Sequence, residues 1–242
     1  MKPGDIIDGK CRITGDDFRH LVRVRRVRSG DIISLQGADC SSFEARVTMI
    51  GKSHLEAELL RIEDRKPIPV RITLCLSLLK GKHFDLAVQK AAEVGVYRII
   101  PVITERTVPI PHKGAPEKLK RWRRIALEAA KQSMRSDVPH LDEVLSFKEV
   151  TACDLQGMKI LAHPAAEMAA RDLLRRHMGE DAALMIGPEG GFSDGEIDMA
   201  EREGWDAVNF GPTHLRAETA AIVLPAIVIY QWSVEDEDQS ER

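Results

Sequence analysis

The sequence predicts an α/β protein in two parts, a small β-barrel followed by a larger domain in which strands and helices alternate around a parallel sheet. Three observations predict it. Residues 10–65 hold only short runs with β-branched residues or period-2 alternation. Lys66-Pro-Ile-Pro69 then changes the composition, two prolines favouring extended backbone. From Val70 onward continuous apolar runs alternate with amphipathic helical stretches, the pattern of a parallel sheet covered on both faces. The expected domains are residues 1–68 and 69–242.

In the first domain the expected strands are Cys11–Thr14, Asp31–Leu35, Ser42–Gly51 and His54–Ile62, with Gly9, Gly30, Gly37 and Gly51 as turns. Phe43, Ala45, Val47 and Met49 alternate with polar residues, which predicts one buried face. Asp16–Arg23 reads as a short helix capped by an aspartate. In the second domain Val70–Leu78 is a strand. Lys80-Gly-Lys-His83 leads into a helix whose Leu86, Val88, Ala91, Ala92 and Val94 face inward and which Gly95 stops. Strand Arg98–Ile103 follows, then a loop bracketed by Pro109, Pro111 and Pro116, then helix Glu117–Ser133 with Leu119, Trp122, Ile125, Ala126, Ala129 and Ala130 as its apolar face. After it come strand Lys159–Ala162, helix Glu167–His177, strand Ala182–Ile186, helix Ser193–Glu203, strand Ala207–Phe210 and helix Ala217–Trp232. This last helix is apolar nearly all round, so it must be buried in the domain or against another subunit, and Pro225 should kink it.

Composition excludes several classes. The chain has 242 residues, 43% hydrophobic and 30% charged, as ordinary globular proteins do. MKPGDIIDGK contains no apolar core of a signal peptide, and the run Ala220 to Trp232 is too short to span a bilayer, which points to the cytoplasm and to no membrane partner. The four cysteines, Cys11, Cys40, Cys75 and Cys153, are scattered with no C-x-x-C pair, so no metal and no disulfide framework is expected. The net charge of −3 is uneven: residues 1–70 carry 13 Lys and Arg against 11 Asp and Glu, while the tail 235–242 is strongly acidic. Arg19, Arg23, Arg25, Arg26 and Arg28 form a basic cluster that is either a solvated surface or a phosphate contact. Lys118, Lys120, Arg121, Arg123 and Arg124 on the long helix offer the same two readings.

Two strand ends carry candidate chemistry. Ile186 runs into Gly187-Pro-Glu-Gly-Gly191, and Ser193 with Glu196 then forms a capping box. This loop matches neither the dinucleotide fingerprint nor the phosphate loop. Its glycines permit close backbone approach, which suits a ligand read by main-chain groups such as an adenine ring, or else a purely structural turn. The second, Phe210-Gly-Pro-Thr-His-Leu-Arg-Ala-Glu-Thr219, places Arg216, Glu218 and Thr219 at the start of the apolar helix. They cap that helix or do chemistry, and a desolvated arginine there needs a partner. Leu161-Ala-His-Pro164 ends a third strand, with His163 either a general base or a loop stop.

Ile186-Gly-Pro-Glu-Gly-Gly-Phe-Ser with Glu196, and Phe210-Gly-Pro-Thr-His-Leu-Arg-Ala-Glu-Thr-Ala-Ala221, resemble the ribosomal RNA small-subunit methyltransferase E family of the SPOUT class. So do His20-Leu-Val-Arg-Val-Arg-Arg26 with Gly30-Asp31, Gln89–Gly95, Thr104-Glu-Arg-Thr107 and Arg121-Trp122 through Glu128–Arg135. The resemblance covers all but the acidic tail. It implies a PUA-like barrel, a C-terminal trefoil knot, a homodimer, S-adenosyl-L-methionine as cofactor, and methylation of uridine N3 in 16S ribosomal RNA of the small subunit.

The cofactor loops it implies are Leu161, Ala162 and His163; Ile186, Gly187, Pro188, Glu189, Gly190 and Gly191; and Phe210, Gly211, Leu215 and Arg216, with Thr219 beside them. Arg216 is the candidate to stabilise charge on a uracil oxygen, and Glu218 either orients it or binds the cofactor ribose. Lys80, Lys82, Arg106 and Arg135 join the arginines of 19–28 as candidate RNA contacts. Phe210 and His214 stand where the family usually has the aliphatic residues Leu and Ile, and Val94 stands where it usually has Leu. Readings from other classes are a non-catalytic RNA-binding assembly factor, an oxidoreductase with an atypical loop, and a methyltransferase of another nucleotide.

Overall fold

The computed structural model describes residues 6–7, 9–37, 42–63, 68, 70–107, 115–176, 179 and 181–233. Expectations for Cys40, Lys66, Pro67, Pro69, Pro109, Pro111, His177 and the tail 235–242 fall outside these residues. Two compact units divide the chain, Met1–Pro67 with Met134–Val138, and Ile68–Ser133 with Pro139–Arg242.

The first unit is a five-stranded antiparallel sheet of β1 (Ile6–Ile7), β2 (Lys10–Thr14), β3 (Ile32–Gln36), β4 (Ser42–Ile50) and β5 (His54–Glu63), ordered β1-β2-β5-β4-β3. Alternate residues fill one core: Cys11 and Ile13 from β2, Ala45 and Val47 from β4, Leu55 and Ala57 from β5. Met49 does not join them. The β4–β5 register shifts between Val47 and Met49, and the extra residue turns Met49 outward, where it is exposed. The expected short helix forms as α1 (Gly15–Arg19), which continues into a π-helical turn, His20–Val24. Its N-cap is Thr14 rather than an aspartate, and Thr14 makes no side-chain capping bond. Asp16 lies in the first turn instead and pairs with Arg19.

The second unit is built on a parallel sheet of β6 (Arg71–Ser77), β7 (Arg98–Ile103), β8 (His140–Leu141), β9 (Leu145–Ser146), β10 (Met158–Ala162), β11 (Asp181–Ile186) and β12 (Asp206–Val208). The order is β12-β10-β11-β6-β7-β8, with β9 also on β7. The helices are α2 (His83–Val94), α3 (Ala115–Gln132), α4 (Phe147–Thr151), α5 (Ala170–Arg176), α6 (Asp194–Arg202) and α7 (Ala217–Ser233). Period-2 alternation divides the apolar strand residues between two faces. Ile72, Leu74, Ile160 and Leu184 pack with α2, α3, α5 and α7, while Cys75, Leu161 and Met185 pack with α4 and α6.

Gly95 ends α2 in the left-handed conformation at φ 116°. The inward face of α2 is Phe84, Ala87, Val88, Ala91 and Ala92; Leu86, expected inside, is exposed, because the true stripe begins at Phe84 and Leu86 lies off it. Arg121 and Arg123 on α3 serve structure: Arg121 pairs with Asp85 at 2.5 Å, and Arg123 donates to the Leu141 carbonyl at 3.1 and 3.2 Å. The last helix, α7, is continuous with Pro225 inside it. One face is buried through Ala221, Leu224, Val228 and Trp232, and the other leaves Val223, Ile227 and Tyr230 exposed.

Candidate active site

In a parallel sheet all strands finish at one edge, and ligands bind beyond those carboxyl ends. Here β10, β11 and β12 are neighbours, so the three loops singled out in the sequence are brought side by side. After Ala162 the His163 amide donates to the Val208 carbonyl at 2.9 Å, joining the first loop to the end of β12. Asn209 reinforces this seam: its side-chain amide donates to the carbonyls of Ala166 and Met168 at 2.7 and 3.1 Å.

The loop after β11 is held from three sides. Within itself, the Gly191 amide donates to the Pro188 carbonyl at 2.9 Å, and Gly191 takes φ +68°, a conformation that favours glycine. At its far end Ser193 and Glu196 form the expected capping box: Ser193 Oγ accepts from the Glu196 amide, and Glu196 Oε2 accepts from the Ser193 amide at 2.9 Å. The other carboxylate oxygen of buried Glu196 accepts from the Glu105 amide at 2.8 Å, which ties the loop to the turn after β7. That turn adds Arg106, whose Nη1 donates to the Gly190 carbonyl at 2.8 Å. From the loop after β6 the Lys80 amide donates to Glu189 Oε1 at 2.9 Å.

These loops enclose a cavity of about 740 Å3, a size that suits a nucleoside-bearing ligand. Ala162 and His163 line it, as do Ile186, Gly187, Pro188, Glu189, Gly190 and Gly191, and Phe210, Gly211, Leu215, Arg216 and Glu218. Phe210 and His214, two of the three departures from the family pattern, are also on its wall. Leu161 and Thr219 are not: Leu161 is fully buried among the residues facing α4 and α6.

The expected RNA contacts fall in both units. Arg19, Arg23, Arg25, Arg26 and Arg28 are exposed on α1 and the turn after it, and Lys80 and Lys82 are exposed before α2. Arg106 is exposed on the cavity wall, where its Nη1 donates to the Gly190 carbonyl. Arg135 is buried and paired with Asp137 at 2.8 Å.

The sequence reading missed His83. This first residue of α2 lines the cavity, and its Nδ1 lies 3.2 Å from Oε1 of buried Glu218. Nothing local announces this pairing, because it depends on α7 packing beside α2.

The cavity fits an adenosine-type group. Its wall joins apolar side chains such as Ile186, Phe192 and Leu215 to main-chain donors and acceptors of the glycine loop. A Cβ on Gly187 would be tight, 3.1 Å from the Phe192 ring, while one on Gly190 would make an ordinary contact, 3.4 Å from the Arg106 side chain. Glu218 supplies a buried carboxylate for a cationic ligand. Among the described residues no group of three or more His, Cys, Asp or Glu gathers as a metal site requires, and no helix is long and apolar enough to cross a membrane.

Comparison with known proteins agrees with this architecture. Residues 66–229 match a family described as RNA methyltransferase domain, and residues 13–60 one described as RNA methyltransferase PUA domain. The chain is 30% identical to the ribosomal RNA small subunit methyltransferase E of Bacillus subtilis over 94% of its length and 92% of the relative's. It is 30% identical to the protein of the same name from Synechocystis, covering 92% of this chain and 74% of that one. The crystal structure of the Neisseria gonorrhoeae protein of that name, bound to S-adenosyl methionine, superposes with a TM-score of 0.79 at 30% identity, covering 96% and 97% of the two chains.

Proposed function

The chain belongs to the ribosomal RNA small subunit methyltransferase E family, and on that premise we propose that it transfers a methyl group from S-adenosylmethionine to N3 of a specific uridine in 16S ribosomal RNA. The observation that carries this reading is the cavity where β10, β11 and β12 end, a glycine-lined cradle with Arg216 on its wall. The main chain of Ile186–Gly191 and Phe210–Leu215, with His163, would hold the cofactor. When bound, S-adenosylmethionine supplies the methyl group on a positively charged sulfur.

The chain's own residues do the rest. Uridine N3 bears a proton and lies on the Watson–Crick edge, so the base must be unpaired or turned out to enter the site. As N3 loses that proton, negative charge grows on the uracil oxygens. Arg216, always protonated, stabilises that charge.

We extend the proposal to the rest of the molecule. Arg19, Arg23, Arg25, Arg26 and Arg28, with Lys80 and Lys82, contact RNA phosphates. The chain works in the cytoplasm as a homodimer, the exposed apolar face of α7 meeting a second copy; Val223, Ile227 and Tyr230 on that face support this. The second unit carries a trefoil knot. The strand order supports it, since β12 lies beyond β10 and the connection from β11 must pass over β10 to reach it. Residues 1–68 form the RNA-binding domain and 69–242 the methyltransferase domain.

The test is methyl transfer from labelled cofactor to small subunits from a strain lacking the protein, with the modified base mapped. The expected product is 3-methyluridine at one 16S position. Arg216→Ala should lower turnover by roughly 100- to 1,000-fold while RNA binding stays intact. Near wild-type turnover would remove Arg216 from the chemistry.

A further inference from the structure

We propose that His83 accepts the N3 proton of the substrate uridine, with Glu218 as the positioning residue that fixes its ring and balances its charge. The proposal rests on the uridine N3 reading above. Methylation at N3 requires a proton acceptor, and the cavity wall offers few. Arg106 and Arg216 cannot accept a proton. Glu189 is held by the Lys80 amide. His163 and His214 line the cavity, but no carboxylate among the described residues pairs with either.

His83 differs in three respects. Its side chain is half exposed, at 49%, and lies on the cavity wall. Its Nδ1 lies 3.2 Å from Glu218 Oε1, and the Glu218 side chain is only 11% exposed. A buried carboxylate with one N–H donor beside it holds that donor firmly, since an unsatisfied buried charge would be costly. A neutral imidazole that donates its Nδ1 proton to Glu218 carries its lone pair on Nε2, the tautomer a proton acceptor needs. Glu218 and Arg216 stand two residues apart at the start of α7, so one segment positions both the acceptor's partner and the stabilising cation.

The step balances as follows. Uridine N3 gives its proton to His83 Nε2 and uses the electron pair of that N–H bond to form the new bond to the methyl carbon. The pair of the broken carbon–sulfur bond stays on sulfur, which becomes neutral. The imidazolium formed on His83 is paired with Glu218 and returns the proton to water.

The experiment uses the full-length protein and small subunits carrying either uridine or 5-fluorouridine at the target, fluorine making N3 more acidic and less dependent on a base. Single-turnover rates, cofactor affinity and RNA affinity are measured for wild type, His83→Asn, His83→Gln and Glu218→Gln. Both His83 variants should lose about 100-fold in rate on uridine, the low end for general-base removal, and recover most of it on 5-fluorouridine. Their cofactor and RNA affinities should stay within about twofold, since the missing group acts on the proton rather than on binding. Glu218→Gln should lose about tenfold in rate, recovered in the same way.

A wild-type rate in the His83 variants, an equal loss on both substrates, or a cofactor affinity that falls as far as the rate would overturn the proposal. A wild-type product methylated at an atom other than uridine N3 would instead overturn the reading it rests on, before any variant is compared.

Discussion

Arg106 shows how a single side chain changes its meaning once its partner is known. In the sequence it is one more cation near a basic helix. In the structure its Nη1 donates to the Gly190 carbonyl, and its stem lies beside that glycine. A hydrogen bond from a charged donor contributes about 1.5–3 kcal/mol, so the loop should lose its shape when it is removed. Arg106→Ala is therefore expected to weaken cofactor binding about tenfold or more in calorimetry, while the salt dependence of RNA binding stays unchanged. The reverse pattern, a flatter salt slope at full cofactor affinity, would return Arg106 to the RNA surface. The other site residues divide on the same principle. The glycine loop, Arg216 and Glu218 were legible because their signals are local: a turn rich in glycine, a capping box, charged residues at the start of an apolar helix. The contact of His83 with Glu218 was not, because those residues are 135 positions apart and meet only through helix packing.

At the scale of the element, periodicity read the longer strands and helices to within a few residues. β6, β7, β10 and β11 carry apolar runs, α3 repeats its apolar residues at helical spacing, and α7 is apolar nearly all round. β8 and β9 have two residues each, too few for any period to show, and they exist only because β7 offers an open edge. The short helix α4 had a readable start, since Ser146 and Glu149 form the same capping box as Ser193 and Glu196, but five residues leave no amphipathic stripe to find.

Gly157 is a third kind of omission. It takes φ +78°, and a Cβ there would lie 1.9 Å from the Asp181 carbonyl oxygen, because the turn into β10 crosses directly beside the start of β11. The constraint comes from a strand more than twenty residues later, so no local pattern marks this glycine. Both the conformation and the overlap oppose a side chain. Gly157→Ala should cost at least about 2 kcal/mol, read as a lowered denaturant midpoint at unchanged slope. An unshifted midpoint would mean that this approach is not tight.

Across the whole molecule, charge and apolar surface are segregated in a way that totals conceal. A net charge of −3 suggests little attraction for RNA, yet the acidic excess sits largely in the tail, while residues 19–28 carry five arginines. Of these, Arg19 is paired with Asp16, but Arg23, Arg25 and Arg26 have no carboxylate partner among the described residues, and all are exposed. Unpaired surface arginines left in water contribute little to stability, so their grouping is better explained by what they bind. If each neutralises one phosphate, each releases condensed counterions, and the logarithm of affinity falls by about 0.7–0.9 per contact for each decade of salt. Neutralising Arg23, Arg25 and Arg26 to glutamine together should then flatten the slope for small-subunit RNA by about two units and weaken binding most at low salt. The fold should be untouched, since none of the three side chains contributes to the buried core of the first unit. Turnover at saturating RNA should also persist, because the cavity wall includes no residue of that segment. A slope that stays the same in the triple variant would show that RNA is held elsewhere, and Lys80 and Lys82, exposed on the turn that precedes His83, would be the cations to neutralise next.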